Sequence, residues 1–396
     1  MDDHQILSSS SENKASEKSL SFYIQALALS LLVAFLIQRQ GRLSGANAFM
    51  ITSWFVGVSV IFWRYGAVGQ LSFYQNDQIF HWKLVAQSYG ADFGYTFDRI
   101  NYARIPYTAP ARLLTHLGVN PTLALKFVSL CCGLGNISLI EHELRKRHIR
   151  FTVITFWLAA CPIASFFSLL ALRETMMLLC VTQLFIGVSQ SGKTLSLLVL
   201  LILRPHLAVA IVFGLFWGWI FSRSDKTWYL PSVFFTALFP IYLGSAGFAL
   251  GRYIMYGSPL QLDQSLFLKS QIVQVFSAFA GLQFLTVPYQ TVEFTTRSLL
   301  FIRSVFPEIT LIPLLFTGSC FLFTPYTTRL KLSILASFVF FTAISSRTEF
   351  LSVRQSLPLM SVMGIAVLLS FSREIGSTQS SLKDTRIRSV SAPQVE

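Results

Sequence analysis

Residues Phe166 to Val181 read FFSLLALRETMMLLCV, an apolar run in which Arg173 and Glu174 stand side by side. Two charges in such a run are costly wherever the surroundings are hydrocarbon, so the stretch can be read only once its solvent is known. Composition supplies the solvent. Of 396 residues, 53% are hydrophobic and 12% charged, and Phe alone occurs 37 times. A soluble chain of this length would need far more polar surface. The expected class is an all-α polytopic membrane protein.

Apolar runs bounded by charge or turn residues fall near 21–37, 46–63, 121–140, 151–168, 172–189, 194–203, 206–222, 229–250, 305–324, 330–346 and 355–372. They predict one membrane domain over 21–372 with about ten to twelve transmembrane helices. A Ser-rich polar tail precedes it (1–20) and a second polar tail follows (373–396), both expected to be disordered. The first apolar run ends in QRQGR rather than in a small-residue cleavage site, which predicts a retained span. Cys131, Cys132, Cys161, Cys180 and Cys320 lie in apolar runs without CxxC spacing and read as small packing residues. The GLG at 133–135 likewise reads as a helix-packing element.

The net charge of +13 is distributed in short clusters, as orientation signals are, rather than along a nucleic-acid-binding face. Lys and Arg gather at QRQGR (38–42), ELRKRHIR (143–150), Lys193, SRSDK (222–226), RLK (329–331) and from Arg373 onward, at every second connection. These are expected to face the cytoplasm. The N-terminal tail, with Asp2, Asp3, Glu12 and Glu17 against Lys14 and Lys18, is then outside, and the C-terminal tail inside. The outer connections are 64–120, the ALRET turn, the LRPH turn, 251–303 and the SSRTEFLSVR turn, with 266–285 read as an interfacial helix. Every unusual charge therefore collects on the outer face, where ionisable residues at membrane depth line cavities or pathways.

Arg173 and Glu174 read either as an interfacial ion pair or as an anion site in which Arg173 offers a fixed fork to phosphate oxygens. In LILRPHLAVA, Leu201 to Ala210, Pro205 removes a backbone donor and predicts two half-helices or one kinked helix. Opened backbone at membrane depth lines a cavity, and Arg204 and His206 at the break suit phosphate binding and proton handling. In the outer segment 71–118, residues 79–89 predict an amphipathic surface helix preceded by Asp77, a helix cap or a general base, and followed by a Pro-bounded turn. Asp92, Asp98, Arg104 and Glu174 are candidate substrate contacts, and Arg354 at the mouth of the last span is a candidate phosphate ligand or lipid anchor. Neither GxGxxG after a strand, nor HExxH or DxD occurs. No cofactor is named by the sequence, and a divalent metal is left open.

The order of these features resembles the GT-C superfamily of integral membrane glycosyltransferases and the related O-antigen and exopolysaccharide polymerases. The resemblance lies in QNDQIFHWKLVAQ, ARIPYTAPARLLTHLGVNPTLALKFVSLCCG, CPIASFFSLLALRETMML, LLILRPHLAVAI and SVRQSLPLMSVMG. It implies Asp77 as catalytic acid of the first outer loop, with Arg204 and Arg354 on the phosphate of a polyprenyl-linked sugar. The polymerase branch implies roles for Arg173 and His206. Two spans before the catalytic loop, and NDQ in place of a pair of acids, depart from the transferase pattern and move weight toward polymerase. The implied partners are a polyprenyl-linked sugar donor, a glycan or lipid-linked acceptor and membrane lipid, with no nucleic acid, in a bacterial inner membrane with the site facing outward. A lipid-linked oligosaccharide flippase is the reading from another class, although carriers more often spread polar residues through the depth of several spans.

Overall fold

The computed structural model describes residues 104–119, 121–150, 152–156, 173–221, 308–318, 329–345 and 358–370 as continuous runs. It adds separate positions between 28 and 53, at 81, 84 and 85, and between 234 and 246. Among the described residues every regular element is helical, so the all-α expectation holds. Besides a single helical turn at Val153–Thr155, the main helices are α1 Ile105–His116, α2 Pro121–Lys146, α3 Glu174–Ile186, α4 Gln190–Leu203, α5 Pro205–Phe221, α6 Phe234–Leu243, α7 Glu308–Gly318, α8 Arg329–Ser345 and α9 Pro358–Ser370. Among the described residues one stretch, Ala124–Lys146 of α2, is long and apolar enough by itself to cross a membrane. Of the others α3, α4, α5, α6 and α9 are apolar but shorter; α5, with 17 residues, spans about 25 Å.

The stretch expected as a Pro-bounded turn is instead helix α1. Pro106 sits in the first turn, where no N–H is needed, while Pro110 lies inside and forfeits one bond. Leu117, Gly118 and Val119 end α1: Val119 N–H reaches Leu114 O and Gly118, at φ +88°, bonds Thr115 O. This Schellman turn needs a left-handed residue. At the end of α2 the same pattern recurs with His148 in that place, at φ 58°. The expected span 121–140 thereby runs on to Lys146, carrying the buried Glu141 and Glu143. Glu141 pairs with Arg145 and accepts the Ser44 backbone N–H at 2.9 Å, tying the region beside QRQGR to that of ELRKRHIR.

The centre of the bundle is α8, buried from Leu332 to Ala343, with α9 equally enclosed. α5 lies antiparallel against α8. Gly214 faces Ser333 and Ser337, and Gly218 faces Arg329 and Ser333; a Cβ on Gly214 would overlap Ser337 Oγ and the Ser333 carbonyl. GLFWG (214–218) is thus a small-xxx-small seam against SILAS (333–337), which lets the two backbones touch. The GLG element plays a milder part: a Cβ on Gly135 would stand 3.6 Å from the Leu179 side chain of α3, an ordinary contact.

Two ends of the bundle emerge. At one, Ile140 and Leu144 of α2 pack with Ile186 of α3 and Ile365 of α9. At the other, Arg173 meets Leu203 and His206 meets Phe341. Among the described residues the ELRKRHIR cluster thus lies toward the first end, and Arg173 of ALRET and His206 of LRPH lie at the second. Gly214→Val is expected to destabilise the purified protein by about 1–3 kcal/mol by overpacking. Chemical denaturation in detergent measures the loss; unaltered stability would mean the α5–α8 seam is not this close.

Candidate functional site at the α4–α5 break

Pro205 begins α5 and has no N–H to give, and Arg204, at φ −161° and ψ 80°, ends α4. The break redirects the local hydrogen bonds. Arg204 N–H still reaches Leu200 O at 2.7 Å, but Leu207 and Ala208 N–H both turn back to Arg204 O, at 3.0 and 3.2 Å. In an unbroken helix Leu207 would serve the Leu203 carbonyl instead. Arg173 Nη1 donates to that carbonyl at 3.3 Å. ALRET and LRPH therefore meet, and the negative end of α4 is stabilised by a cation from the neighbouring helix.

Arg204 is itself buried, 8% exposed. Its Nε–H donates to His206 Nε2 at 2.9 Å, which makes that nitrogen an acceptor and places the imidazole proton on Nδ1. Both side chains rest on one ring. The Arg204 guanidinium carbon lies 5.5 Å from the Phe341 centroid, and the imidazole stacks on it at 5.7 Å with planes 8° apart. The ring face attracts the cation, and the enclosed setting strengthens that attraction. For His206 to accept a proton at Nε2, Arg204 has to move off it.

Glu174 follows Arg173 but leads elsewhere. Successive helix residues diverge by about 100°; Glu174 is 2% exposed, and its charge bears on Tyr107. As the first-turn acid of α3 it also suits the positive end of that helix. Tyr107, fully buried, donates to Leu125 O at 3.3 Å and receives the Ser129 hydroxyl at 2.7 Å. His81, 1% exposed, meets the Tyr107 ring edge-on at 5.2 Å. Burial, with the nearby Cys132 and Glu174, pushes the Tyr107 phenol well above its usual 10.0, against a smaller lowering by Ser129. Sequence reasoning missed this cluster. In the sequence His81 is one more residue of the expected 79–89 surface helix, one turn before Val85, and nothing there marks it as buried.

Of the expected site residues, Arg173, Arg204 and His206 come together, with Glu174 adjoining. Arg104 stands just before α1, half-buried, its carbonyl receiving Tyr107 and Thr108. Asp77, Asp92, Asp98 and Arg354 lie outside the described residues. Among the described residues no three His, Cys, Asp or Glu side chains are grouped to hold a metal ion.

No protein-family model matches the chain, nor does any curated protein or solved structure.

Two outcomes follow from this geometry. Arg173→Met leaves the Leu203 carbonyl without its donor and is expected to cost about 1–3 kcal/mol in denaturation experiments. The raised Tyr107 phenol stays neutral in the fold after its unfolded counterpart ionises, so its contribution is complete below pH 10 and falls as pH rises further. Tyr107→Phe should therefore flatten the alkaline limb of a stability–pH curve; an unchanged limb would assign that limb to other groups.

Proposed function

We propose that the protein is a multi-pass membrane enzyme that transfers sugar from a polyprenyl phosphate or pyrophosphate donor, at the extracytoplasmic face, during cell-surface polysaccharide or glycolipid assembly. The membrane reading is supported by the outward faces of the helices. Leu195 and Leu198 of α4, Val209 and Phe216 of α5, and Leu311 and Leu314 of α7 are all exposed. Such surfaces are a liability in water and ordinary in lipid.

The observation that carries the reading is the meeting of Arg173, Arg204 and His206 at one break, at the bundle end opposite the buried Glu141 and its basic neighbours. A donor on the outer face has to arrive already attached to a lipid, because soluble nucleotide sugars stay in the cytosol. The acceptor hydroxyl attacks the anomeric carbon, the bond from that carbon to the phosphate oxygen breaks, and the phosphate departs with the electron pair. Arg204 stabilises the developing charge. Drawn toward phosphate, Arg204 vacates His206 Nε2, which then accepts the hydroxyl proton. Donor binding and base activation thus become one event. In this scheme Arg173 keeps the break open, Asp77 and Arg354 are further candidates for base and phosphate ligand, and Glu174, Asp92, Asp98 and Arg104 for substrate contacts.

A second reading, a polymerase of lipid-linked repeat units, is favoured by one specific feature. Arg173 and His206, the pair that the polymerase resemblance carries, are joined through the break.

The test replaces the chromosomal gene with variants and follows surface glycan and lipid-linked intermediates. Arg204→Ala and His206→Gln are each expected to lower glycan formation by about 100-fold or more, with normal protein in the membrane. His206→Gln retains an acceptor for Arg204 but cannot take a proton. Intermediates missing one sugar assign a transferase, and complete unpolymerised units assign a polymerase. Normal glycan in both variants would sink sugar transfer, and complete units accumulating on the cytoplasmic leaflet would indicate a flippase.

A further inference from the structure

Phe341 of α8 is an apolar side chain with two polar companions. It is completely buried, yet the Arg204 guanidinium carbon lies 5.5 Å from its ring centroid, and the His206 imidazole stacks on it at 5.7 Å with planes 8° apart. Across that face Arg204 Nε–H reaches His206 Nε2 at 2.9 Å. One ring thus carries both partners of the hydrogen bond that selects the imidazole tautomer. The register of α5 on α8 makes room for it. Gly218 faces Ser333 and Gly214 faces Ser337, so the next step of the same stripe sets Ala210, fully buried, opposite Phe341. A small residue at 210 lets the ring extend along α5 to His206, one turn earlier. Phe340, turned by about 100°, stacks instead on Phe213 at 4.6 Å, so α8 grips this part of α5 on two sides.

An aliphatic side chain would fill this space without meeting the charge. A guanidinium only 8% exposed has given up most of its water, and an aliphatic surface returns nothing for it. The electron-rich face of a ring does, most strongly where water is excluded. A flat face also holds a planar guanidinium and a planar imidazole at one height, where Nε–H can point at Nε2. Arg204 and His206 each have a further contact, so the ring is one hold among several and its loss is graded rather than total.

We propose that Phe341 is a positioning residue of the break: the π face of its ring holds Arg204 beside His206 and so keeps the imidazole proton on Nδ1, with Nε2 as the acceptor. What the positioned pair then does rests on the sugar-transfer reading, but the tautomer does not, and the test reads the tautomer first. The full-length protein, carrying isotopically labelled histidine, is placed in nanodiscs at a pH where the imidazole is neutral, and its ring nitrogens are observed by NMR. The His206 signals are those missing from His206→Gln.

The unsubstituted protein is expected to show His206 as a single tautomer protonated on Nδ1. Phe341→Leu keeps an apolar side chain without a ring and should give a mixture of both tautomers. Trifluorophenylalanine in place of Phe341 keeps the shape of the ring but weakens its π face, and should shift the balance the same way by a smaller amount. Surface glycan should fall about tenfold in Phe341→Leu, the scale of one desolvated cation–π contact, and less in the fluorinated protein. An unchanged single tautomer in both variants would overturn the proposal. So would a mixture in Phe341→Leu with an unchanged spectrum in the fluorinated protein, because the ring would then act by shape alone. Should Phe341→Leu not fold, the fluorinated protein decides by itself. Tautomer shifts as expected, with normal glycan in Arg204→Ala and His206→Gln, would keep the positioning role and reject sugar transfer. Unchanged tautomers with glycan lost in those two variants would do the reverse.

Discussion

A single proline sets the arrangement of the polar end of this bundle. Because Pro205 disfavours helix at the residue before it, α4 stops at Leu203 and α5 begins at once, and the Leu203 carbonyl loses its helical donor as Leu207 N–H turns to Arg204 O. An unsatisfied carbonyl away from water costs about 1–3 kcal/mol, enough to matter to a fold of marginal stability. Arg173 meets that need from the start of α3. The repair fixes α3 against α4 at this end, and the same turn places Arg204 and His206 in mutual contact on Phe341.

The break is held from its other side by the close approach of α5 and α8. Gly214 and Gly218 remove the side chains that would separate the two backbones, and Ser333 and Ser337 occupy the room that results. With the helices at this distance, Phe341 stands under the break and Phe340 under Phe213. The glycine seam therefore acts at the site from two turns away, by setting the height of the ring on which both polar side chains rest. Arg173, which caps a carbonyl, serves first as a positioning residue, and Arg204 is held against His206 and Phe341.

Much of this was legible residue by residue. The all-helical class followed from the length and apolarity of the runs, and the break followed from Pro205 with a charge on either side. Less was legible where the signal was tertiary. Helix α1 was hidden by its two prolines, which read as a turn until one is seen in the first helical turn. His81 and Tyr107 carry nothing in the sequence to distinguish them from neighbouring aromatics, because their importance comes from the burial of a hydroxyl and an imidazole among α1, α2 and α3. The GLFWG seam was present as spacing, but its partner on α8, more than a hundred residues later, was not.

The sequence by itself determined where the chain must be apolar, where a helix cannot continue, and which few charges lie apart from the basic clusters. Those properties are local, set by solvation and by backbone chemistry. Only the tertiary structure decided that Arg173 serves the Leu203 carbonyl left open at the break, that Glu174 turns away toward Tyr107, and that Arg204 occupies the nitrogen of His206. Such pairings depend on the distance between helices, and that distance is set by glycine and serine meeting across a seam that neither segment specifies alone.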